Sequence, residues 1–269
     1  MIFCGVDIGA RATKVVLAGP SGEVLAQSLE PTSSPPAASA DAALADALSE
    51  AGASREDIAV TTATGYGRKA VAADRRLTEI TCHARGAAAA LEGVRTVIDI
   101  GGQDSKVIAL GARGEVEDFA MNDRCAAGTG RFLEVISAIL GVKVAELSDL
   151  ALGATEPAPI SAVCVVFTES EVVNLVSLGY DKADIAAGVI RAMASRMQAL
   201  VGRVVARSPA LFVGGVARNR ALCEEIAAVT GLEMAAGDHP EFNGARGAVL
   251  FSLENEDASG YTELPEKRR

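Results

Sequence analysis

Two stretches of the chain share one pattern: residues 6–24 read VDIGARATKVVLAGPSGEV, and residues 98–116 read IDIGGQDSKVIALGARGEV. The second copy follows the first at a constant spacing of 92 residues, without insertion or deletion. A pattern that occurs twice is typical of a duplicated domain rather than of a solenoid, which stacks three or more units. Each copy predicts a β-hairpin, because two apolar runs flank a tight Asp-Ile-Gly turn. We therefore expect two similar halves.

The turn of each copy holds the residue types that bind a polyphosphate. Glycine frees backbone amides for the phosphates, and a hydroxyl and a carboxylate can serve the accompanying metal ion. These residues are Asp7, Gly9, Thr13 and Lys14 in the first copy, and Asp99, Gly101, Gly102, Gln103 and Asp104 in the second. Two such loops on facing halves would hold a nucleotide from both ends.

A third glycine element, Gly214-Gly215, follows an apolar run and precedes a helical pattern. The missing side chains would let an adenosine lie flat on the backbone there. A single Asp-Ile-Gly is more often a simple turn. The matched duplication, together with this third element, favours nucleotide binding.

Composition and charge narrow the class of protein. The 269 residues are 49% hydrophobic and 22% charged, which is typical of a globular chain. The formal net charge of −10 argues against a nucleic-acid partner, which needs a basic surface. The start of the chain, MIFCGVDIG, lacks a basic segment followed by a long apolar one, and no apolar run has the length of a membrane span. We expect a cytoplasmic protein with no membrane partner.

Periodicity and turn signals predict alternating strands and helices, which indicates an α/β fold. We predict strands at 58–63 and 210–215 and helices at 41–51, 132–140, 185–204, 217–229 and 245–253. The last helix is expected to pack back on the first domain. The tail after Glu254 is polar and expected to be mobile.

Two of the five cysteines lie close to the start of predicted helices. Residues 121–134 read MNDRCAAGTGRFLE and place Cys125 before one helix, and residues 160–172 read ISAVCVVFTESEV and place Cys164 before another. A helix N-terminus stabilises a thiolate. The sequence Thr-Glu-Ser-Glu at 168–171 is a capping-box pattern, which predicts a helix start near Glu169 and assigns Glu169 and Glu171 to capping rather than catalysis.

Two thiolates cannot complete a cubane iron–sulfur cluster, which usually takes four cysteines. The other three, Cys4, Cys82 and Cys223, are predicted to be buried structural thiols. A twofold dimer would supply the four cysteine ligands, because Cys125 and Cys164 come from each of the two subunits. On spacing alone, a zinc site and a pair of buried thiols remain alternatives.

The order of the three glycine elements resembles the superfamily of acetate kinase, sugar kinases, Hsp70 and actin. The resemblance implies a duplicated ribonuclease-H-like fold, with ATP and Mg²⁺ held in a cleft between two domains. The first domain is expected at 1–95, completed by a C-terminal helix at 245–258. The second, at 96–244, carries the cluster cysteines. The superfamily includes kinases, chaperones and filaments, so the fold alone does not choose among them.

Longer motifs narrow the resemblance. MNDRCAAGTGRFLE, AVCVVFTESEV, DIGGQDSKV, ATGYGR (63–68) and FVGGVARN (212–219) together resemble the BadF/BadG/BcrA/BcrD-type ATPases. This family includes the activators of 2-hydroxyacyl-CoA dehydratases and the ATPase subunits of benzoyl-CoA reductase. The resemblance implies one 4Fe–4S cluster shared across a homodimer or a heterodimer of homologous subunits, with ligands Cys125 and Cys164 from each.

In that family ATP binding and hydrolysis change the angle between two helices that point at the cluster. This change drives one low-potential electron into a dehydratase or into reductase catalytic subunits. The resemblance implies a ferredoxin or flavodoxin as the electron donor. The acyl-CoA substrate of the partner is left open.

The resemblance also implies roles for individual residues. Asp7 is expected to hold Mg²⁺ through water, and either Gln103 or Asp104 to orient the attacking water. The residues expected to contact the nucleotide, or to link it to the cluster helix, are Gly9, Thr13, Lys14, Gly101, Gly102, Gln103, Gly128, Thr129, Gly130, Gly214 and Gly215.

Four other functions belong to the same family or superfamily. The unbroken GGQDSKV and CAAGTG motifs favour a stand-alone activator over a reductase subunit. A small-molecule kinase of the same superfamily would need a catalytic Asp aimed at a hydroxyl and has no use for the cysteine loops. An actin-like filament would need polymerising insertions, and an Hsp70-like module would need a peptide-binding domain.

Overall fold

The repeated hairpins belong to two sheets of the same topology. The computed structural model describes residues 1–161 and 164–254, and these divide into two compact units. The first unit consists of Met1–Ala90 and 242–254, and the second of Leu91–Glu241.

The elements alternate along the described residues much as the sequence predicts. The strands are β1 (Ile2–Ile8), β2 (Ala12–Ala18), β3 (Val24–Pro31), β4 (Ile58–Thr64), β5 (Arg75–Arg76), β6 (Thr96–Ile100), β7 (Ser105–Leu110), β8 (Val116–Asn122), β9 (Ala210–Val213) and β10 (Met234–Ala236). The α-helices are α1 (Pro36–Ala51), α2 (Glu79–Ala90), α3 (Gly130–Leu140), α4 (Leu147–Leu152), α5 (Val165–Ser177), α6 (Lys182–Val201), α7 (Arg220–Thr230) and α8 (Asn243–Leu253).

The sheet of the first unit has the order β3-β2-β1-β4-β5. The β1–β2–β3 meander is antiparallel, and β4 and β5 then run parallel to β1. One face packs on α1 through Leu17 and Ala43, and the other packs on α8 through Val16 and Val249. Because both faces are covered, β1 and β2 are almost continuously apolar rather than alternating.

The sheet of the second unit repeats this plan in the order β10-β9-β6-β7-β8. Strands β6, β7 and β8 are antiparallel neighbours, and β9 and β10 run parallel to β6. A large apolar core covers this sheet with Phe132 and Ile136 from α3, Met193 from α6 and Leu222 from α7. The two α/β units therefore confirm the predicted duplication of the fold.

Glycines let α2 and α8 approach each other closely in the first unit. A Cβ on Gly86 would lie 2.3 Å from the carbonyl oxygen of Asn243, and one on Gly247 would lie 1.8 Å from that of Cys82. Asn243 also donates through Nδ2 to the carbonyl oxygen of His83 at 3.0 Å. This close contact places α8 against α2 and β1.

The predicted helix start near Glu169 is wrong, because α5 begins a turn earlier at Val165. The amide and the hydroxyl of Thr168 both donate to the carbonyl oxygen of Cys164 at 2.9 Å, which extends the helix back to that cysteine. Glu171 does not cap the helix. It accepts from the amide and the hydroxyl of Ser161, each at 3.0 Å.

The segment predicted as one helix at 217–229 is two elements. A 3-10 turn covers Gly215–Arg218, and α7 begins at Arg220 after Asn219, whose side chain accepts from the amide of Leu222. The strand predicted at 210–215 ends at Val213, because Gly214 has a φ of 86° that an extended strand does not allow.

Three sequence features fall outside the described residues. They are positions 255–258 of the expected C-terminal helix, the polar tail that follows, and Ala162-Val163 in the second cysteine stretch. In the part of the chain that is described, no helix is both long enough and apolar enough to cross a membrane.

Candidate functional site

The first candidate phosphate loop joins β1 to β2. Its turn is closed by the amide of Gly9, which donates to the carbonyl oxygen of Ala12 at 3.1 Å. Lys14 donates through Nζ to Oδ2 of Asp7 at 3.2 Å. The hydroxyl of Thr13 is buried and shares a 3.0 Å hydrogen bond with Thr32, whose hydroxyl in turn donates to the carbonyl oxygen of Gly9. Thr13 therefore braces the loop from inside the unit.

The second candidate loop joins β6 to β7 with matching geometry. The amide of Gly101 donates to the carbonyl oxygen of Asp104 at 2.9 Å. Lys106 lies at the position equivalent to Lys14, but two carboxylates neutralise it. Its Nζ is 3.1 Å from Oδ2 of Asp99 and 2.8 Å from Oδ2 of Asp104. Gln103 at the tip is exposed, whereas Asp104 is buried.

The start of α3 is bound directly to this second loop. The amide of Gly130 donates to the carbonyl oxygen of Gly101 at 2.8 Å, and the amide of Arg131 donates to that of Gly102 at 3.0 Å. A Cβ on Gly130 would lie 3.2 Å from Cγ2 of Val216 and 3.3 Å from the carbonyl oxygen of Gly101. Gly130 is thus the point where the second loop and the Gly214-Gly215 element meet.

The segment between Cys125 and α3 is itself ordered by local bonds. A 3-10 turn spans Ala126–Gly128, and Thr129 follows it with a buried hydroxyl that donates to the carbonyl oxygen of Ala126 at 2.9 Å. Gly128 is buried as well. The residues predicted as a link, 128–130, therefore run from the cysteine loop to the second glycine loop within the second unit.

The Gly214-Gly215 element requires glycine for a steric reason. Gly214 has a φ of 86°, and a Cβ there would lie 2.4 Å from the carbonyl oxygen of Ile100 and 2.5 Å from Oδ1 of Asp99. Gly215 is exposed, with nothing within 4 Å of the Cβ position. A ligand can therefore approach the backbone at Gly215.

Sequence reasoning missed the counterpart of Gly214 in the first unit. Gly65 follows β4 with a φ of 83°, and a Cβ there would lie 2.5 Å from the carbonyl oxygen of Ile8 and 2.6 Å from Oδ1 of Asp7. These distances match those around Gly214. The signal in the sequence was a glycine directly after the fourth strand, inside ATGYGR.

A second unpredicted feature is a two-pronged ion pair beside the Gly214-Gly215 element. The guanidinium of Arg218 donates through Nε and Nη2 to the two carboxylate oxygens of Glu241. Burial is the largest single influence on Glu241 and opposes its ionisation. The hydrogen bond from Arg218, a backbone hydrogen bond and the charges of Arg218 and His239 together outweigh it and hold the pKa of that carboxyl below its ordinary value. The same hydrogen bond raises the pKa of Arg218. The pair fixes a charged side chain where the adenosine is expected.

The two candidate cluster cysteines lie at helix starts in the second unit. Cys125 precedes the 3-10 turn and Cys164 is the residue directly before α5, and both are partly exposed. Asn122 donates through Nδ2 to the carbonyl oxygen of Cys125 at 2.9 Å, and Arg196 donates through Nη1 to its Sγ at 3.6 Å. Within residues 1–161 and 164–254, no group of three or more His, Cys, Asp or Glu side chains is arranged to hold a metal ion.

The remaining cysteines have the character of structural thiols. Cys4 and Cys82 are fully buried, and burial raises the pKa of each to about 12. Cys223 is half-buried, and burial also raises its pKa. None of these thiols forms a disulfide.

Comparison with known proteins decides the family. The BadF/BadG/BcrA/BcrD ATPase family matches residues 4–252, nearly the whole chain. The chain belongs to this family. It is therefore an ATPase by descent, and the resemblance seen in its motifs is confirmed.

The relatives include activators of two dehydratases. The (R)-2-hydroxyglutaryl-CoA dehydratase activating ATPase of Acidaminococcus fermentans is 42% identical, over 92% of this chain and 95% of that protein. The solved activator of the 2-hydroxyisocaproyl-CoA dehydratase from Clostridium difficile, with bound ADPNP, has a TM-score of 0.91 and 36% identity. That match covers 99% of this chain and 100% of the other.

Two further similarities bear on function and fold. One of the subunits of the benzoyl-CoA reductase of Thauera aromatica is 34% identical, over 93% of this chain and 92% of that protein. A ROK family glucokinase from Streptomyces griseus is only 16% identical, with a TM-score of 0.57 over 93% of this chain and 99% of the other. This last likeness shows the fold alone, and it agrees with the predicted two-domain α/β fold.

Proposed function

We propose that the chain is an ATP-hydrolysing activator that delivers one low-potential electron to a 2-hydroxyacyl-CoA dehydratase. One observation carries this proposal: the hydrogen bonds from the amides of Gly130 and Arg131 to the carbonyl oxygens of Gly101 and Gly102. They join the loop assigned to the phosphates to the helix that follows the Cys125 segment. A change at the phosphates therefore acts directly on the backbone that carries a cluster ligand.

The nucleotide assignment uses the glycine elements of both units. We assign Gly9, Thr13 and Lys14 to the first phosphate loop, Gly101, Gly102 and Gln103 to the second, Gly128, Thr129 and Gly130 to the link, and Gly214 and Gly215 to the adenosine. The open space at Gly215 fits such a ligand. In this assignment Thr13 stabilises its loop from the buried side, because its hydroxyl is hydrogen-bonded to that of Thr32.

The hydrolytic step needs a metal-bound phosphate and an oriented water. We assign Asp7 to Mg²⁺ through water, where the metal would neutralise phosphate charge as the γ-phosphoryl group passes to water to give ADP and phosphate. Of the two candidates for orienting that water, exposure favours Gln103 over Asp104. Asp104 is buried and paired with Lys106, so we assign it to holding that lysine.

The cysteine pair fits half of a four-cysteine donor set. Cys125 precedes a short 3-10 turn and Cys164 directly precedes α5, and both thiols are partly exposed. We propose that a second copy, or a homologous subunit, supplies the other two. Val166 and Phe167, directly after Cys164, are 66% and 70% exposed, and apolar exposure of this kind is typical of a protein interface. A 4Fe–4S cluster held there would supply one-electron transfer at low potential.

The partners follow from the relatives. Because the relatives from Acidaminococcus fermentans and Clostridium difficile are named for 2-hydroxyacyl-CoA dehydratases, we propose such a dehydratase as the electron acceptor. We propose a ferredoxin or flavodoxin as the donor and a cytoplasmic location, without nucleic acid or membrane as partners.

A second role rests on the similarity to the benzoyl-CoA reductase of Thauera aromatica. In that role the chain would be a stable subunit of a reductase-type complex, with the same nucleotide and cysteine residues. Co-purification separates the two roles. An activator is isolated without large subunits, whereas a reductase subunit remains bound to them.

The test is an anaerobic activation assay. The protein, reduced with dithionite, is mixed with (R)-2-hydroxyglutaryl-CoA dehydratase, its substrate and either ATP or ADPNP, and the dehydration product is measured. We expect product only with ATP. Cys164→Ser should abolish activation, and Cys223→Ser, which changes a thiol outside the proposed site, should not.

Activation that survives Cys164→Ser would contradict the proposal. ATP-dependent phosphorylation of a small molecule, without electron transfer, would instead establish the kinase alternative.

A further inference from the structure

Arg196 makes a long-range contact to Cys125 that the proposed nucleotide site does not include and that a cysteine needs for no metal–ligand bond. Its Nη1 donates to Sγ of Cys125 at 3.6 Å across 71 positions of the sequence, so the fold creates the contact. Arg196 lies on α6, where its neighbours Met193 and Met197 are buried in the core of the second unit. The buried neighbours fix the position of the helix and therefore the reach of the guanidinium.

The contact distinguishes the two candidate cluster ligands. Cys125 is held at two atoms, with Asn122 on its carbonyl oxygen and Arg196 on its sulfur. At Cys164 the bonds from Thr168 go to the carbonyl oxygen and not to the sulfur. Arg196 thus supplies a cation at the sulfur of Cys125.

A guanidinium at a ligand sulfur has a defined electrostatic effect. Arginine carries its charge at every physiological pH, and a hydrogen bond to an anionic acceptor is strengthened by that charge. Reduction would add one negative charge to a cluster bound there, so a fixed cation and a hydrogen bond at the ligand sulfur would favour the reduced form. Loss of the cation makes the protein harder to reduce.

We infer that Arg196 is a positioning residue that raises the reduction potential of a cluster bound by Cys125. This inference rests on the proposed function, because it requires Cys125 to be a cluster ligand. In a dimer each subunit contributes one such guanidinium, so the two partly offset the charge of the four thiolates. The contact then helps the protein accept an electron from its donor.

The test compares three variants with the wild type, all purified anaerobically. Arg196→Gln removes the positive charge, and Arg196→Lys keeps it on a smaller ammonium group. Arg191→Gln is the matched control, because Arg191 lies on the same helix, is mostly exposed and pairs with Glu225 at 3.5 Å. Iron and sulfide contents and the midpoint potential are measured for each, the last by redox titration followed by electron paramagnetic resonance.

We expect Arg196→Gln to have a more negative potential, with the reduction equilibrium weakened about tenfold, which corresponds to about 59 mV for one electron. Arg196→Lys should shift less and Arg191→Gln not at all. If Arg196→Gln binds no iron while Arg196→Lys and Arg191→Gln do, the potential of Arg196→Lys decides. A value more negative than that of Arg191→Gln supports the inference, and an equal value overturns it.

Equal potentials for Arg196→Gln and Arg191→Gln would overturn the inference and leave the proposed function intact. Loss of iron from both Arg196 variants would overturn it too, since the side chain would then serve the fold rather than the charge. A wild type without iron would overturn the proposed function and, with it, the inference.

Discussion

Lys14 and Lys106 occupy equivalent positions in the two hairpins but differ in charge balance. Lys14 is paired with Asp7 and is partly open to solvent. Lys106 is 2% exposed and lies between Asp99 and Asp104, which leaves one excess negative charge in a buried cluster. The first hairpin has Ala12 where the second has Asp104.

This difference predicts unequal effects of the same substitution. Lys106→Met leaves two buried carboxylates without their cation and should lower the free energy of unfolding by about 3–5 kcal/mol. Lys14→Met leaves one carboxylate and should cost less. Urea unfolding of both variants tests this, and equal losses would contradict it.

The buried thiols give a prediction about reactivity and pH. Burial raises the pKa of Cys4 and Cys82 from an ordinary value of 9.0 to about 12. At pH 8 the thiolate fraction of each cysteine is therefore about a thousandfold lower in the native protein than in the unfolded chain. Because the thiolate is the reactive form, iodoacetamide should label both cysteines only after unfolding. Mass spectrometry of the labelled sites measures this. Labelling of native Cys82 at the rate of an unfolded reference would contradict it.

The raised pKa values of Cys4 and Cys82 also predict how the free energy of unfolding changes at alkaline pH. Above about pH 9 the unfolded chain releases these two protons while the folded chain retains them, so the free energy of unfolding falls as pH rises towards 12. Cys82→Ala removes one such proton. The variant should therefore lose less stability than the wild type between pH 8 and pH 10, and a parallel loss would contradict the assigned burial.

At the scale of elements, the hairpins were predictable because their apolar runs and glycine turns repeat in the sequence itself. The equivalence of Gly65 and Gly214 was not, since ATGYGR and FVGGVARN share little sequence. Their likeness lies in the backbone, where each glycine packs against the aspartate and the carbonyl oxygen at the end of the central strand.

The start of α5 escaped prediction for a related reason. The side chain of Cys164 does not cap the helix. The hydrogen bonds that extend the helix come from Thr168, although the sequence pattern assigns Thr168 itself to the helix cap. Arg196 and Glu241 escaped because their partners are distant in sequence, so no local pattern marks them.

Gly214 gives the prediction at this scale. Gly214→Ala places a Cβ against the carbonyl oxygen of Ile100, in addition to the cost of a positive φ. Gly231→Ala is the matched control, because Gly231 has a φ of 70° with nothing within 4 Å. We expect about 1 kcal/mol of lost stability for the control and about 1–3 kcal/mol more for Gly214→Ala. Thermal unfolding measures both, and equal losses would contradict the close packing of Gly214 on Ile100.

At the scale of the whole molecule, the duplicated fold and the family are confirmed, and the second unit contains both the second glycine loop and Cys125. Within the second unit, the glycine loop at 101–102, the link at 128–130 and Cys125 form one bonded path. Periodicity and motifs identified the members of this path, but the hydrogen bonds that connect them required the structure.

The most direct test of an ATP-driven electron donor with a shared cluster uses the anaerobically purified protein. Its iron and sulfide contents are measured, and its electron paramagnetic resonance spectrum is recorded after reduction with dithionite. We expect about four irons and four sulfides per dimer, lost in Cys125→Ser and in Cys164→Ser but kept in Cys223→Ser. The reduced signal should respond to ATP. A wild type that hydrolyses ATP but binds no iron, or cysteine variants that keep the full cluster, would contradict this function.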